Sequence, residues 1–298
     1  MVRIDAHLHV FARQSERFPR QPTPLAAADR EETAEKFLGV MGEHGVDQAM
    51  LVQLGGAEIE EHAYLQHCLA TWPNRFLGIG LIPPDCEKPE EHMDRLAEGG
   101  GIVGFRLGSL GGPADPFAPV DVRAFKTYRI WQHAAKRDYV LWLYLSAADA
   151  HLTAYIVDAF PQVRVVFNHL GVCPGRGKFS IDAYGRPQVD TPSYNPAFHT
   201  IYRLSRYENA AVLLSGQYAF SKEAYPYNDL AGWHSSLLRD FGAERLMWAT
   251  DAPWIYHEPG YGKLTKVLDE LLPQLTATER EAVMGGTAQR FLRFPALG

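Results

Sequence analysis

The sequence predicts an α/β fold, a single distorted (β/α)8 TIM barrel over residues 1–298. Eight short β-rich runs each precede a stretch with helical periodicity, and 298 residues give about 37 per unit, close to what such a barrel uses. Several runs, such as 140–145 (VLWLYL) and 163–167 (VRVVF), are nearly continuously apolar, as strands buried on both faces are. No Gly/Ser-rich or Pro-rich linker divides the chain, so we expect one domain.

The first units alternate strands with amphipathic helices. The predicted strands are 2–10, 48–54, 76–82 and 102–107, and the predicted helices are 31–44, 59–72 and 89–97. Phe37 and Met41 recur at helical spacing in the first helix. Gly45 suits the end of that helix because glycine readily adopts the left-handed C-cap conformation. Pro83 ends the third strand because proline cannot donate a ladder hydrogen bond.

The remaining units continue the pattern to the end of the chain. The predicted strands are 139–145, 163–168, 211–214 and 245–249, and the predicted helices are 122–136, 149–160, about 194–207, about 230–241 and two in the tail. Asp149 is expected to cap its helix, with Tyr155 on the buried stripe. Residues 171–194 read as an irregular loop, and Thr276 with Glu279 forms a capping-box signature.

Composition excludes several classes of protein. The chain has 29 basic and 35 acidic residues, a net charge of −6, which argues against nucleic-acid binding because that needs a basic face. Hydrophobic residues make up 46%, so extensive disorder is not expected. The 3 cysteines are widely spaced without a Cys-x-x-Cys pair, which argues against disulfides and zinc-thiolate sites and favours a reducing compartment.

The N-terminus and the apolar runs bear on location. Residues 1–11 lack the apolar core and cleavage site of a signal peptide, so we expect a cytoplasmic protein. No apolar run approaches the roughly 20 residues that span a bilayer, so no membrane contact is expected.

A pair of histidines closes the first predicted strand. His7 and His9 are two residues apart, so both would point to the same side of a strand, toward the mouth of the barrel. Barrel enzymes place their active sites at the C-terminal ends of the strands. Two imidazoles in this position are a natural chelate for a divalent metal.

Two further polar residues close strands six and eight. His169 has the alternative interpretation of a core histidine satisfied by the backbone. Asp251 has the alternative of a turn residue, since Asp-Ala-Pro favours turns, although its position after an apolar strand weakens that alternative. The site interpretation brings both residues to the mouth beside His7 and His9.

These motifs, taken in order, resemble the amidohydrolase superfamily, in its amidohydrolase-related branch. The matching segments are 4–9 (IDAHLH), 167–171 (FNHLG), 214–216 (LSG) and 247–254 (MWATDAPW), which span nearly the whole chain. The resemblance implies a hydrolytic, lactonase or decarboxylase site at the barrel mouth. It further implies that Asp251 takes a proton from the attacking water and that the histidines bind a metal or polarise the scissile carbonyl.

Strand five departs from the metal-dependent members, which commonly carry a histidine there. Tyr144 stands at that position, and strand four offers only Arg106, so a binuclear site is not expected. A single zinc or manganese ion would have as candidate ligands His7, His9, His169 and Asp251. The tyrosine and arginine are more similar to the 2-pyrone-4,6-dicarboxylate lactonases, which work without a metal, and L-fucono-lactonase-like proteins are neighbours. Metal-dependent and metal-independent catalysis therefore both stay open.

Four residues near the predicted mouth are candidates for substrate binding. Arg106 lies within an apolar strand and needs a partner, either a substrate carboxylate or a structural acid. Tyr144 could donate a hydrogen bond to substrate or simply fill the barrel. Ser215 is a substrate contact or a small polar filler, and Trp254 lines the pocket or packs at the rim.

Three hypotheses about function remain at this point. The first is a lactonase that opens a carboxylated or sugar-derived ring by Asp-assisted attack of water. The second is a metal-dependent non-oxidative decarboxylase of an aromatic or muconate-type acid, against which the missing strand-five histidine argues. The third is a barrel that only binds a small molecule. The expected partner is a small, acidic substrate, and exposed aromatics on the outer helices would permit a homodimer.

Overall fold

Eight parallel strands form the predicted barrel. The computed structural model describes residues 2–172, 178–190 and 203–297. Its barrel strands are β1 (Ile4–Leu8), β2 (Gln48–Val52), β3 (Phe76–Leu81), β4 (Ile102–Leu107), β5 (Val140–Leu143), β6 (Val165–Phe167), β9 (Ala210–Leu214) and β10 (Leu246–Trp248). They pair in the order β1-β2-β3-β4-β5-β6-β9-β10. Beyond the last ladder, the Asp251 N–H donates to the His7 carbonyl at 2.9 Å and the His9 N–H to the Ala252 carbonyl at 2.8 Å, which brings the two ends of the sheet together.

Helices follow the strands on the outside. They are α1 (Ala34–His44), α2 (Ala63–Thr71), α3 (Pro89–Ala97), α4 (Tyr128–Arg137), α5 (Thr153–Ala159), α6 (Gln217–Phe220), α7 (Ala231–Phe241), α8 (Tyr261–Leu264), α9 (Val267–Leu271), α10 (Ala277–Glu281) and α11 (Thr287–Leu292). Gly45 ends α1 in the left-handed conformation, and Thr276 forms its capping box with Glu279, as predicted. No helix among the described residues has the length and apolarity of a transmembrane span.

Three sequence-based expectations are corrected by the structure. Asp149 does not cap a helix; its buried carboxylate accepts the Leu110 N–H at 3.0 Å and so fixes the loop after β4. Tyr155 is 52% exposed, so it does not belong to the buried stripe. The stretch 171–194 contains an antiparallel hairpin of β7 (Lys178–Ile181) and β8 (Pro187–Asp190). Most of the helix predicted to end at residue 207 lies outside the described residues.

The barrel has two separate apolar layers. Thirteen buried side chains from the strands fill the interior: Ile4, Ala6, Met50, Val52, Leu77, Ile79, Val140, Trp142, Val166, Ala211, Leu213, Met247 and Ala249. A larger layer packs the outer faces of the strands against the helices. This division follows from the alternation of side chains along each strand.

A bulge in β1 sets the direction of the first histidine. Asp5 pairs with Ala49 and Leu8 with Leu51, so β1 has one residue more than β2 over this interval. Ala6 packs in the barrel interior, and strict alternation would turn the next side chain outward. The extra residue instead leaves His7 inside the barrel, where its ring lies 6.2 Å from that of Trp142.

Two buried histidines outside the mouth should weaken the fold in mild acid. The Nδ1–H of His62 donates to the Glu58 carbonyl at 2.7 Å, and its Nε2 accepts the Leu81 N–H at 2.9 Å. His234 carries its proton on the same ring nitrogen as His62, and burial lowers the pKa of each imidazole from 6.5 to about 4. Between these values the unfolded chain binds protons that the folded chain excludes. The free energy of unfolding should therefore fall as pH falls from 6.5 to 4, on the order of 3 kcal/mol per histidine.

Urea unfolding at a series of pH values measures this effect. Asp5 has the opposite effect on the free energy of unfolding. Burial raises the pKa of its carboxyl to about 6, so as pH falls the folded chain protonates Asp5 before the unfolded chain does. His62→Gln should flatten the dependence, whereas replacement of the exposed His257 by glutamine should leave it unchanged. Equal slopes in the two variants would contradict the assignment.

Candidate active site

The structure brings His7, His9, His169 and Asp251 together at the C-terminal end of the barrel. The Asp251 Oδ1 lies 3.5 Å from the Nε2 of both His7 and His9, and its Oδ2 lies 3.9 Å from the His169 Nε2. All four side chains are buried. His9, His169 and Asp251 line the mouth cavity, a space of about 150 Å³, whereas His7 is fully buried and does not line it.

Local backbone geometry positions two of these residues. His169 and Asp251 adopt positive φ values of 41° and 60°, which non-glycine residues seldom do outside functional or tightly held sites. Gly216 is also left-handed, and a Cβ there would lie 2.9 Å from the His169 Nδ1. Only glycine therefore allows the His169 ring its place against the end of β9.

Each histidine is oriented by a different partner through its Nδ1. The Trp142 indole N–H donates to the His7 Nδ1 at 3.0 Å. The His9 Nδ1–H donates to the Val52 carbonyl at 2.8 Å, since a carbonyl can only accept. The His169 Nδ1 shares a hydrogen bond of 2.9 Å with the Ser215 hydroxyl. All three Nε2 atoms are thereby directed toward Asp251.

The surroundings keep Asp251 ionised beside a neutral His7 and a neutral His169. Burial alone would raise the pKa of Asp251, but His169, His7 and His9 outweigh it and hold that pKa well below its usual range. Burial lowers the pKa of His7 well below 6.5 and that of His169 to about 4. The Tyr218 hydroxyl donates to the Asp251 Oδ2 at 2.6 Å, while Oδ1 is buried without a hydrogen-bond partner among the described residues. Oδ1 is thus the carboxylate atom that can accept a proton.

The distances between the candidate ligand atoms suit a metal ion, but the position of the proton on His7 does not. His7, His169 and Asp251 each offer a ligand atom within 4.8 Å of the others, so the group could hold a metal. The indole N–H of Trp142 can only donate, however, so the His7 Nδ1 must be unprotonated. Neutral His7 then carries its proton on Nε2, the atom that would have to ligate.

Three of the four predicted substrate contacts line the mouth cavity, and the fourth lies behind it against His169. Arg106, Tyr144 and Trp254 line the mouth cavity, and the Arg106 guanidinium lies 4.8 Å from the centroid of the Tyr144 ring. Ser215 is fully buried behind His169, where it bonds the imidazole; the expected substrate contact is therefore corrected to support of His169.

Arg106 stands in the wall between two cavities. In the described part of the chain it forms no ion pair. Burial lowers its pKa, and Tyr144 and Asp251 act on that pKa in the opposite direction. A side cavity of about 290 Å³ lies on its other side and is lined by Pro83, Pro84 and Lys126. This larger space contains none of the histidines of the mouth, so the reacting groups belong to the smaller cavity.

The hairpin β7–β8 covers one side of the mouth. Phe179, Pro187 and Val189 line the cavity. Of the polar residues of this segment, Arg176 lies outside the described residues and Tyr184 is 55% exposed at the turn, away from the cavity lining. Among the residues whose side chains the structure describes, the hairpin therefore contributes apolar side chains to the lining of the cavity.

Sequence reasoning missed two residues of the site. Tyr218 lies in the short helix α6 rather than at a strand end, so no strand pattern marks it. Trp142 lies within the apolar run 140–145, which predicts a buried strand but marks no residue of the site. The signal that could have revealed it is chemical, because a buried indole N–H needs an acceptor.

A buried Asp and three histidines at the C-terminal mouth of a (β/α)8 barrel define the class of amidohydrolase-type barrels. A sequence profile described as Amidohydrolase matches residues 4–294. The chain belongs to the amidohydrolase family. No curated protein matches the chain.

Solved structures with the same fold come from several bacteria. A putative 2-pyrone-4,6-dicarboxylic acid hydrolase from Pseudomonas putida shares 21% identity, with 99% of both chains covered and a TM-score of 0.73. An amidohydrolase from Burkholderia multivorans with bound zinc shares 20% identity over 99% of this chain and 100% of its own, with a TM-score of 0.73. A dihydroxybenzoic acid decarboxylase from Polaromonas with bound manganese shares 16% over 99% and 98%, with a TM-score of 0.67.

Proposed function

We propose that this protein is a hydrolase that opens a lactone bearing a carboxylate. One observation carries the proposal: an ionised Asp251, whose Oδ1 forms no hydrogen bond within the described residues, lies in the same small cavity as an arginine that forms no ion pair with a described acid. The first group suits the activation of water and the second suits an anionic substrate. The likeness to a lactone hydrolase in fold is consistent with this chemistry.

The proposed hydrolysis begins with the deprotonation of water by Asp251. The His9 Nδ1–H donates to the Val52 carbonyl and its Nε2 lies 3.5 Å from the Asp251 Oδ1, so in this proposal one water molecule bridges the two atoms. As the oxygen of this water attacks the lactone carbonyl carbon, Asp251 takes one of the water's protons. The carbonyl oxygen becomes an oxyanion, which His169 stabilises. The ring C–O bond then breaks, and the departing alkoxide recovers the proton from Asp251, which leaves a hydroxy acid.

Arg106 supplies the specificity in this proposal. Its planar guanidinium can bind a carboxylate through two parallel hydrogen bonds, and Tyr144 beneath it restrains its position. A reactive lactone needs less electrophilic assistance than an amide, so hydrolysis through this chain's own residues favours an activated ester ring. A decarboxylase is the second candidate, because a decarboxylase with bound manganese shares the fold.

Product analysis over a substrate panel tests the proposed reaction. The panel pairs carboxylated and uncarboxylated lactones with dihydroxybenzoic acids, assayed on protein as purified, after chelation, and with added zinc or manganese. We expect ring opening of carboxylated lactones in all three preparations and no release of CO2. Release of CO2 from the acids without lactone turnover would contradict the proposal and favour the decarboxylase.

A further inference from the structure

We infer that Trp142 is a positioning residue that holds His7 as its Nε2–H tautomer, which directs the ring N–H of His7 toward Asp251 and removes His7 from metal ligation. The inference rests on the proposed function only in that Asp251, the group His7 faces, acts there as the base. The tautomer itself is independent of which reaction occurs.

The contact between the two rings fixes the direction of the hydrogen bond. Trp142 lies on β5 inside the barrel, and both its side chain and that of His7 are fully buried. The indole Nε1 is 3.0 Å from the His7 Nδ1, and an indole N–H has no acceptor capacity. Turning the imidazole over would place a carbon atom against this N–H and leave the donor unsatisfied, which burial makes costly.

The two histidines of the His-x-His pair consequently differ in which ring nitrogen carries the proton fixed by a neighbour, although both rings face the same carboxylate atom. His9 keeps a proton on Nδ1 for the Val52 carbonyl, so only its Nε2 can present a lone pair, whereas His7 presents an N–H at Nε2. Both Nε2 atoms lie 3.5 Å from the Asp251 Oδ1. A chelating pair would need a lone pair on both nitrogens. A donor beside an acceptor instead suits a carboxylate that receives a proton from bound water.

Trp142→Phe separates the donor function from the packing of the ring. Phenylalanine keeps an aromatic ring in the barrel interior but offers no N–H, so His7 is freed to move its proton to Nδ1. Its Nε2 lone pair would then complete the group formed with His169 and Asp251. We expect zinc to bind the variant about tenfold more tightly or better, since partners of a ligating histidine commonly change metal affinity by 10–100-fold.

The matched control is Trp131→Phe. Trp131 is also fully buried, but it lies on α4 and its indole N–H has no partner among the described residues. This variant removes an indole of the same size without touching the site. Its zinc affinity should equal that of the wild type.

Nitrogen-15 NMR of histidine-labelled protein reads the tautomer directly. In the wild type, the His7 signals, assigned by their loss in His7→Gln, should show an unprotonated Nδ1 and a protonated Nε2. Those of His9 should show the reverse. A wild-type His7 with its proton on Nδ1 would overturn the inference, and this result does not depend on the folding of Trp142→Phe.

Competition with a chromophoric zinc chelator supplies the second measurement. Tighter zinc binding by Trp142→Phe than by the wild type and Trp131→Phe supports the inference, whereas equal affinities in all three overturn the claim that Trp142 excludes the metal. Neither measurement uses catalysis, so a failure of lactone turnover would count against the proposed function alone.

Discussion

Asp251→Asn should lower kcat for lactone hydrolysis about a thousandfold, within the range that loss of a general base produces. The amide keeps an oxygen that can accept the Tyr218 hydroxyl, which bonds the Asp251 Oδ2 at 2.6 Å, so the shape of the site is preserved. Its nitrogen cannot take a proton from water. The loss should therefore fall on kcat, with KM for the carboxylated substrate changed little because Arg106 is intact.

Steady-state kinetics with a matched carboxyl-to-amide control measure this loss. Asp94→Asn makes the same chemical change on an outer helix, where Asp94 bonds His133 and does not line the mouth cavity. It should retain the wild-type kcat. Lactone turnover by Asp251→Asn within tenfold of the wild type would remove Asp251 as the base.

Arg106→Ala should raise KM for a carboxylated lactone about a hundredfold, as expected for the loss of a charge-assisted, bidentate contact. The same variant should leave KM for the uncarboxylated lactone nearly unchanged. Arg106→Lys should recover only part of the loss, since an ammonium group cannot form the two parallel bonds. The comparison of the two lactones distinguishes a carboxylate contact from a general disturbance of the site.

Lys126→Ala identifies which cavity holds the carboxylate. Lys126 lines the side cavity with Arg106 but not the mouth cavity. If the carboxylate binds on the mouth side, as proposed, Lys126→Ala should behave as the wild type. An equal rise in KM in Lys126→Ala would move the anion to the side cavity, and an unchanged KM in Arg106→Ala would exclude the arginine as its partner.

The eight strands and the residues that close them could be predicted from the sequence because both follow from short-range patterns. Apolar runs mark the strands, and barrel topology then brings their C-terminal ends to one mouth, where His169 and Asp251 lie. The direction of His7 needs more than alternation, since Ala6 before it also points inward. It depends on the bulge in β1, which arises from pairing with β2 and leaves no mark in the sequence.

Roles that depend on a second residue were beyond sequence patterns. Ser215 closes a strand like the other polar residues, yet it lies behind His169 because Gly216 lets the imidazole approach. Tyr144 aligned with the missing strand-five histidine, but the strand-five contact with His7 comes from Trp142, two residues earlier on the same face. Such pairings require the distances that only the folded chain supplies.

Oxygen-isotope incorporation during turnover tests the central claim most directly. With a carboxylated lactone in water enriched in oxygen-18 and after metal chelation, we expect one labelled oxygen in the carboxylate formed by each ring opening and full retention of the substrate's carbon. A product that has lost CO2, or turnover that stops on chelation and returns only with added metal, would contradict hydrolysis by the chain's own residues.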